Sequence, residues 1–285
     1  MRKEDTGRAG LIAFLINLFL FIIKLAAGLI SGSLAIISDA FNSFLDILSY
    51  LLAFFSIQVA QKGPDRDHPF GHRRAEPLSA FMIAIFAGVL AFEILKTAVE
   101  NILYGEPAIT LTPLVVGIVV ISIIVKLAAY FYLKKKADSG LSSTLEALAI
   151  DSRNDVVASS LVLIGVVGAC LSAPVLDDVA AVLIAFYILY SGYSIARKNI
   201  GYLMGEKPPK ETMDSVKKAA TSVKGVKRLS GVRAHYVGDR VHTEISIVLD
   251  KKLTAKKTHD IGEQVQKEVE KIDLVSRAFV HIDYE

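Results

Sequence analysis

Cysteine is nearly absent from this 285-residue chain, and Cys170 stands alone. A disulfide within the chain is therefore excluded, and a thiolate metal cluster has too few ligands. Charge of one sign is equally scarce. A formal net charge of +3 leaves no basic footprint for nucleic acid. Histidine is thin, with six residues, all outside the long apolar runs. No low-complexity tract or short repeat appears. No cleavable signal is expected either: the charged start Met1–Arg8 leads into an apolar stretch of full-span length, not a short signal core.

What is plentiful is apolar sequence. Hydrophobic residues make up 53% of the chain, and the mean hydropathy of +0.47 is too high for a soluble protein of this size. Six stretches are long enough to cross a bilayer: Ala9–Ile30, Leu34–Val59, Leu78–Ile102, Leu111–Leu133, Leu145–Leu171 and Leu176–Ala196. The fold expected is a polytopic α-helical membrane protein with six transmembrane helices. Lys24 and Lys126 fall inside two of these runs and are read as snorkelling or lining a polar groove.

Lysine and arginine alternate along the connections. Arg2, Lys3 and Arg8 precede the first span. Lys62, Arg66, Arg73 and Arg74 fill the second connection, Lys134, Lys135 and Lys136 the fourth, and Arg197 and Lys198 follow the sixth span. The first, third and fifth connections carry neither residue. Positive charge collects on the cytoplasmic side, so both termini are expected there, in the cell inner or plasma membrane.

The composition changes after about Gly205, which divides the chain into a membrane domain (1–204) and a cytoplasmic domain (205–285). Glu206–Lys210 reads as a linker. Glu211–Val223 suits an amphipathic helix. Val226–Tyr236 and Arg240–Leu249 alternate as strands around a Val237–Asp239 turn, Thr254–Ile272 has helical spacing, and Val275–Ile282 closes as a strand. This gives a small cytoplasmic α+β domain of metallochaperone type, at the low end of what folds alone. Pairing two copies through it would help.

Two short pieces carry the chemistry. Asn42 and Asp46 are four apart in the second span, and Asp151 and Asp155 are four apart in the fifth. On a helix each pair shares one face. Four such groups at membrane depth are costly unless they face each other or a watery cavity. They read as one metal site built from two helices, the alternative being polar helix–helix contacts. Oxygen-only ligands favour Mn(II), then Mg, Ca or Fe(II), whereas zinc usually recruits His or Cys. Magnesium holds its waters, so Mn(II) comes first. Asp39, one turn before Asn42, is read as lying outside the ligand set, and Arg153 is placed to pair with a carboxylate. A second cluster, Asp65, Asp67, His68 and His72, sits between spans two and three. Its two histidines could share a metal if the segment were helical.

The run Ser33–Asp46, the loop Asp67–Glu76 and the segment Asp151–Ser159 together resemble the cation diffusion facilitator family, and the resemblance covers essentially the whole chain. It implies a homodimeric exporter of divalent metals that exchanges metal for protons by alternating access. Zinc-transporting members carry His in the transport site, usually where Asp151 stands here. The Asn42, Asp46, Asp151, Asp155 set is similar to the manganese-exporting branch. The resemblance also implies a loop metal site on His68 and His72 with Asp65 or Asp67. It implies part of a cytoplasmic-domain site on His259, His281 and Asp283, with Ser246 where that pattern has a further His. A charge contact between protomers would involve Arg74 and Glu206. His235 and His242 flank the hairpin and could face each other. The chain is thus read as a transporter, not an enzyme, whose cargo is Mn(II), or Zn(II) or Fe(II) by the same route, with protons as counter-ion. The other reading is a membrane-anchored metal sensor or interaction protein.

Overall fold

The computed structural model describes residues 3–104, 110, 112–140, 143–171, 173 and 175–285, with the side chains of 3–10, 136–147 and 170 left out. The expected charges at Arg2, Lys3, Arg8 and Lys136, the Cys170 side chain and most of the third and fifth connections lie outside the described residues. Eleven elements follow one another among them. Six long helices come first: α1 (Lys3–Ser31), α2 (Leu34–Ala60), α3 (Ala75–Tyr104), α4 (Pro113–Gly140), α5 (Ser143–Cys170) and α6 (Val175–Leu203). Then come α7 (Lys210–Thr221), β1 (Arg228–Val237), β2 (Arg240–Leu249), α8 (Ala255–Glu270) and β3 (Val275–Tyr284). All six long helices are apolar and long enough to cross a membrane. The order agrees with the six spans and the helix–strand–strand–helix–strand tail expected from the sequence.

Two compact units divide the chain: residues 1–52 with 82–194, and residues 53–81 with 195–285. The division falls within α2, α3 and α6.

In the first unit the core is built from small and branched residues. Ala35 and Ile36 of α2, Ala91 of α3, Val119 of α4, Val162 of α5 and Ala181 and Ile184 of α6 are all buried in one cluster. Small side chains let helix backbones approach closely, which is how helices associate where water gives no hydrophobic drive. The opposite faces stay apolar: Phe19, Ile22, Phe86, Phe92, Ile124 and Phe186 are exposed, as expected of residues that meet lipid.

Helix ends are satisfied locally. Thr112 accepts from the Val115 amide at 3.4 Å, and Pro113 opens α4, where its missing N–H costs nothing. Between α1 and α2 the chain turns through Gly32 at φ 74°, a left-handed conformation that suits glycine. The start of α2 is buried, so its free amides need partners. Ser33 Oγ accepts from Ile36 N at 3.2 Å. Asp177 of α6 accepts from Ser33 Oγ at 2.6 Å and from Ala35 N at 3.1 Å. Its carboxylate also faces the positive end of the α2 dipole.

In the second unit, β1 and β2 pair antiparallel and β2 and β3 pair parallel, in the order β1-β2-β3. The parallel pair is joined by α8, as a crossover requires. Thr254 caps α8 by accepting from Lys257 N. Val216 of α7 and Val265 and Val269 of α8 are buried with Ile245, Ile247 and Leu249 of β2. The helices thus cover one face of the sheet. The alternate residues of β2, His242, Glu244 and Ser246, belong to the other face. Before α3, the segment 61–74 is a series of turns rather than a helix. It rests on the β1–β2 turn: Arg73 pairs with Asp239 at 3.0 Å. Gly238 there has φ 67°, and a Cβ at this residue would strike the Arg73 carbonyl.

Asp177→Ala should cost about 1–3 kcal/mol, the penalty for buried donors left unpaired, and fray the first turn of α2. Hydrogen exchange at Ala35 and Ile36 checks this, and unchanged protection would show that the cap contributes nothing.

Candidate metal centre

Helical spacing brings Asn42 and Asp46 to one side of α2, and Asp151 and Asp155 to one side of α5. The two sides face each other. Oxygen atoms of Asp46, Asp151 and Asp155 all lie within 4.8 Å of one another. Asn42 joins them by donating from Nδ2 to Asp155 Oδ1 at 2.9 Å, which leaves its amide oxygen free as a ligand atom. Asp155 and Asn42 are buried and Asp46 nearly so, its side chain being 15% exposed. Four oxygen-bearing groups from two helices thus converge, with no nitrogen or sulfur ligand among them. Carboxylates this close repel one another and favour a shared cation.

Two lysines enter this region, and neither snorkels. Lys126 of α4 is 2% exposed and Lys24 of α1 is 1% exposed. Lys126 forms an ion pair with Asp155 and a longer one with Asp46, at 3.5 Å. It also donates to Asn17 Oδ1 of α1 at 2.5 Å. Lys24 pairs with Asp39 at 2.8 Å and reaches Ser159 Oγ at 3.1 Å, while Ser159 donates to Asp39 at 2.8 Å. This corrects the snorkelling expectation. Each lysine is buried in the bundle and finds a carboxylate on a neighbouring helix instead. The signal was present in the sequence: a basic residue central in an apolar run must have an acidic partner. Asp39 lies outside the carboxylate group, as expected. Arg153 is exposed and donates to Asn154 at 3.5 Å rather than to a carboxylate.

The loop cluster assembles without a helix. Asp65, His68 and His72 offer ligand atoms within 4.8 Å of one another, and the two imidazole rings are 4.4 Å apart. A turn does this. Asp65 Oδ1 accepts from the backbone amides of Asp67 and His68, at 3.0 and 2.6 Å, folding the chain back so that His72 Nε2 reaches Asp65 Oδ2 at 3.2 Å. The His68 amide is the main cause that holds the Asp65 carboxyl below its usual range. Asp67 supplies only its backbone amide to this arrangement.

The third group is looser. His281 and Asp283, two apart on β3, meet at 3.3 Å, and Ser230 of β1 donates to Asp283 at 2.5 Å. His259, exposed on α8, does not join them in a three-residue group among the described residues. His235 and His242 are register partners with rings 6.0 Å apart, as their places beside the hairpin suggested. Within one chain, Arg74 and Glu206 form no ion pair among the described residues. A contact between protomers would need two chains.

The cation efflux transmembrane domain model matches residues 10–204, and the cation efflux protein cytoplasmic domain model matches residues 208–285. The chain belongs to the cation diffusion facilitator family. It is therefore an integral membrane protein that moves divalent metal cations out of the cytoplasm, and members of this family are transporters, not enzymes. The chain is 34% identical over 270 residues to the uncharacterized transporter MJ0449 of Methanocaldococcus jannaschii, covering 94% of each. It is 27% identical over 290 residues to the manganese efflux system protein MneP of Bacillus subtilis, covering 99% of this chain and 97% of that one. It is 30% identical over 296 residues to metal tolerance protein 5 of rice (Oryza sativa), covering 99% of this chain and 69% of that one.

His242 supplies a pH test of the facilitator's sheet. Burial, then the charge of His235 and nearby arginines, pushes its imidazole below the ordinary 6.5. The unfolded chain therefore binds a proton that the folded chain does not, so stability rises with pH up to about 6.5 and is lost as pH falls through the lower folded value. His242→Gln should flatten that limb of the stability–pH profile. Parallel profiles for the two proteins would remove His242 as its source.

Proposed function

We propose that this facilitator exports Mn(II) from the cytoplasm in exchange for protons, by alternating access, with Asn42, Asp46, Asp151 and Asp155 as the transport ligands. The observation that carries the metal assignment is the oxygen-only set: Asp46, Asp151 and Asp155 gathered within 4.8 Å, with Asn42 bonded to Asp155. Hard oxygen ligands suit Mn(II) and give zinc or copper no imidazole or thiolate to prefer. The names of the manganese efflux relatives from Bacillus subtilis support the same reading. Zn(II) and Fe(II) are the competing cargoes.

With the site open inward, ionised carboxylates take the metal from the cytoplasm. Rearrangement of the bundle then opens the site outward, where protons compete for the same oxygens and the metal leaves. Asp46, Asp151 and Asp155 carry metal and protons in turn. Asn42 contributes a neutral oxygen, which limits the negative charge held at this depth. The alternation of lysine and arginine supports an orientation with both termini, the Asp65–His68–His72 loop and the 205–285 domain in the cytoplasm. The match of 208–285 to the family's cytoplasmic domain supports a homodimer formed through it. The loop cluster, with two imidazoles and a carboxylate, suits a regulatory or entry site whose loss weakens transport without abolishing it.

Everted membrane vesicles with an imposed pH gradient test the assignment. Mn(II) uptake should follow the gradient and fall by at least about 100-fold in Asp46→Ala and Asp155→Ala, each of which removes a charged ligand. Uptake equal to wild type in either variant would sink the ligand assignment. Asp151→His should shift competition toward Zn(II), by adding the nitrogen ligand that zinc prefers.

A further inference from the structure

Lys126 sets a positive charge inside the proposed ligand group. Its ammonium has three N–H donors; it donates to Asp155 Oδ2 and Asn17 Oδ1 and lies 3.5 Å from Asp46 Oδ2 as an ion-pair contact. Asp155 Oδ1 is already engaged by Asn42. Both oxygens of Asp155 are therefore engaged by the chain's own donors. We propose that Lys126 is a tethered counter-cation that competes with the transported ion for Asp155 and Asp46, and that Asn17 is the seat its ammonium keeps when the ion displaces it. This rests on the reading of these carboxylates as transport ligands.

Charge and geometry support the proposal together. Three ionised carboxylates and one ammonium leave two negative charges, which one divalent ion neutralises. Without Lys126 the excess would be three. The lysine is buried, so its charge acts in a poorly screened setting. Its stem is long and unbranched, and the ammonium can shift toward Asn17 while the backbone of α4 stays in place. Asn17 belongs to α1, outside the two helices that supply the ligands, and is itself 3% exposed. Its amide oxygen offers an uncharged acceptor that a metal need not displace. Lys24 plays no such part, because its carboxylate partner, Asp39, lies outside the ligand group. A built-in competitor weakens metal binding and hastens release, which a carrier needs as much as capture.

Titration of the purified full chain in lipid nanodiscs with Mn(II), at one fixed pH, reads the competition. Lys126→Gln should bind Mn(II) about tenfold more tightly, the scale of one lost charge-assisted contact. Asn17→Leu should bind it about tenfold more weakly, because the ammonium then has only carboxylates to hold. Lys126→Arg keeps the charge and should stay nearer wild type than Lys126→Gln. In vesicles Lys126→Gln should lower KM and kcat together, a split that loss of packing alone would not produce. The proposal is overturned if Lys126→Gln, still folded, binds Mn(II) no more tightly than wild type. Should that variant not fold, unchanged affinity in Asn17→Leu overturns it instead. Asp155→Asn separates the two failures. If it binds Mn(II) like wild type, the transport-site reading is wrong. If it loses binding while Lys126→Gln is unchanged, only the counter-cation is wrong.

Discussion

Charge inside a membrane bundle must be balanced by charge close at hand, and this constraint organises the first unit of the protein. Lys24 against Asp39 joins α1 to α2, and Lys126 against Asp155 and Asp46 joins α4 to α5 and α2. Each pair is completed by neutral groups. Ser159 donates to Asp39, Ser43 accepts from Lys24, and Asn17 accepts from Lys126. Removing one member of such a buried pair typically costs about 3–5 kcal/mol, because the other is left uncompensated. The pairs therefore fix which helix faces meet. That fixed meeting is what converts two sequence pairs, on α2 and α5, into one four-group centre.

Such contacts need close backbones. Gly28 in α1 leaves no room for a Cβ beside Ile37, and Gly165 in α5 leaves none beside Ala180. Ala35, Ala91, Ala98, Ala181 and Ala185 continue the same theme through the buried cluster. Larger residues would hold the helices apart and lengthen the ion pairs.

Much of this was legible in the sequence because the signals were strong and periodic. Six apolar runs, an interspersed pattern of basic connections and an alternating tail located every described helix and strand, although α1, α4 and α6 each run six or seven residues past the apolar run at one end. The i,i+4 pairs named the centre, since helical geometry alone brings Asp46 beside Asn42 and Asp155 beside Asp151. Three things were not legible. Lys24 and Lys126 were read as snorkelling or lining a polar groove, because the carboxylate each one takes depends on helix packing, which has no local signature. The Asp65–His68–His72 cluster was expected to need a helix, whereas an Asp65 side-chain turn achieves the same convergence by capturing two backbone amides. His259 was grouped with His281 and Asp283 by pattern, but α8 and β3 place them apart within one chain.

Metal choice is usually argued from donor atoms alone, yet charge number matters as much at membrane depth. A histidine at Asp151 would replace a negative charge by a neutral nitrogen, changing both softness and balance at once. With Lys126 in contact with Asp155 and Asp46, the carboxylate centre carries a formal excess of two negative charges. Substituting His for one carboxylate would leave an excess of one, and a divalent ion would then leave the centre with a net charge of +1 unless the lysine were also lost. On this argument an aspartate at position 151 and a lysine at position 126 belong together. The imidazoles of this chain lie in the 61–74 loop, on α8 and in the sheet, away from the carboxylate centre. Imidazole groups and the carboxylate centre are thereby kept in separate environments.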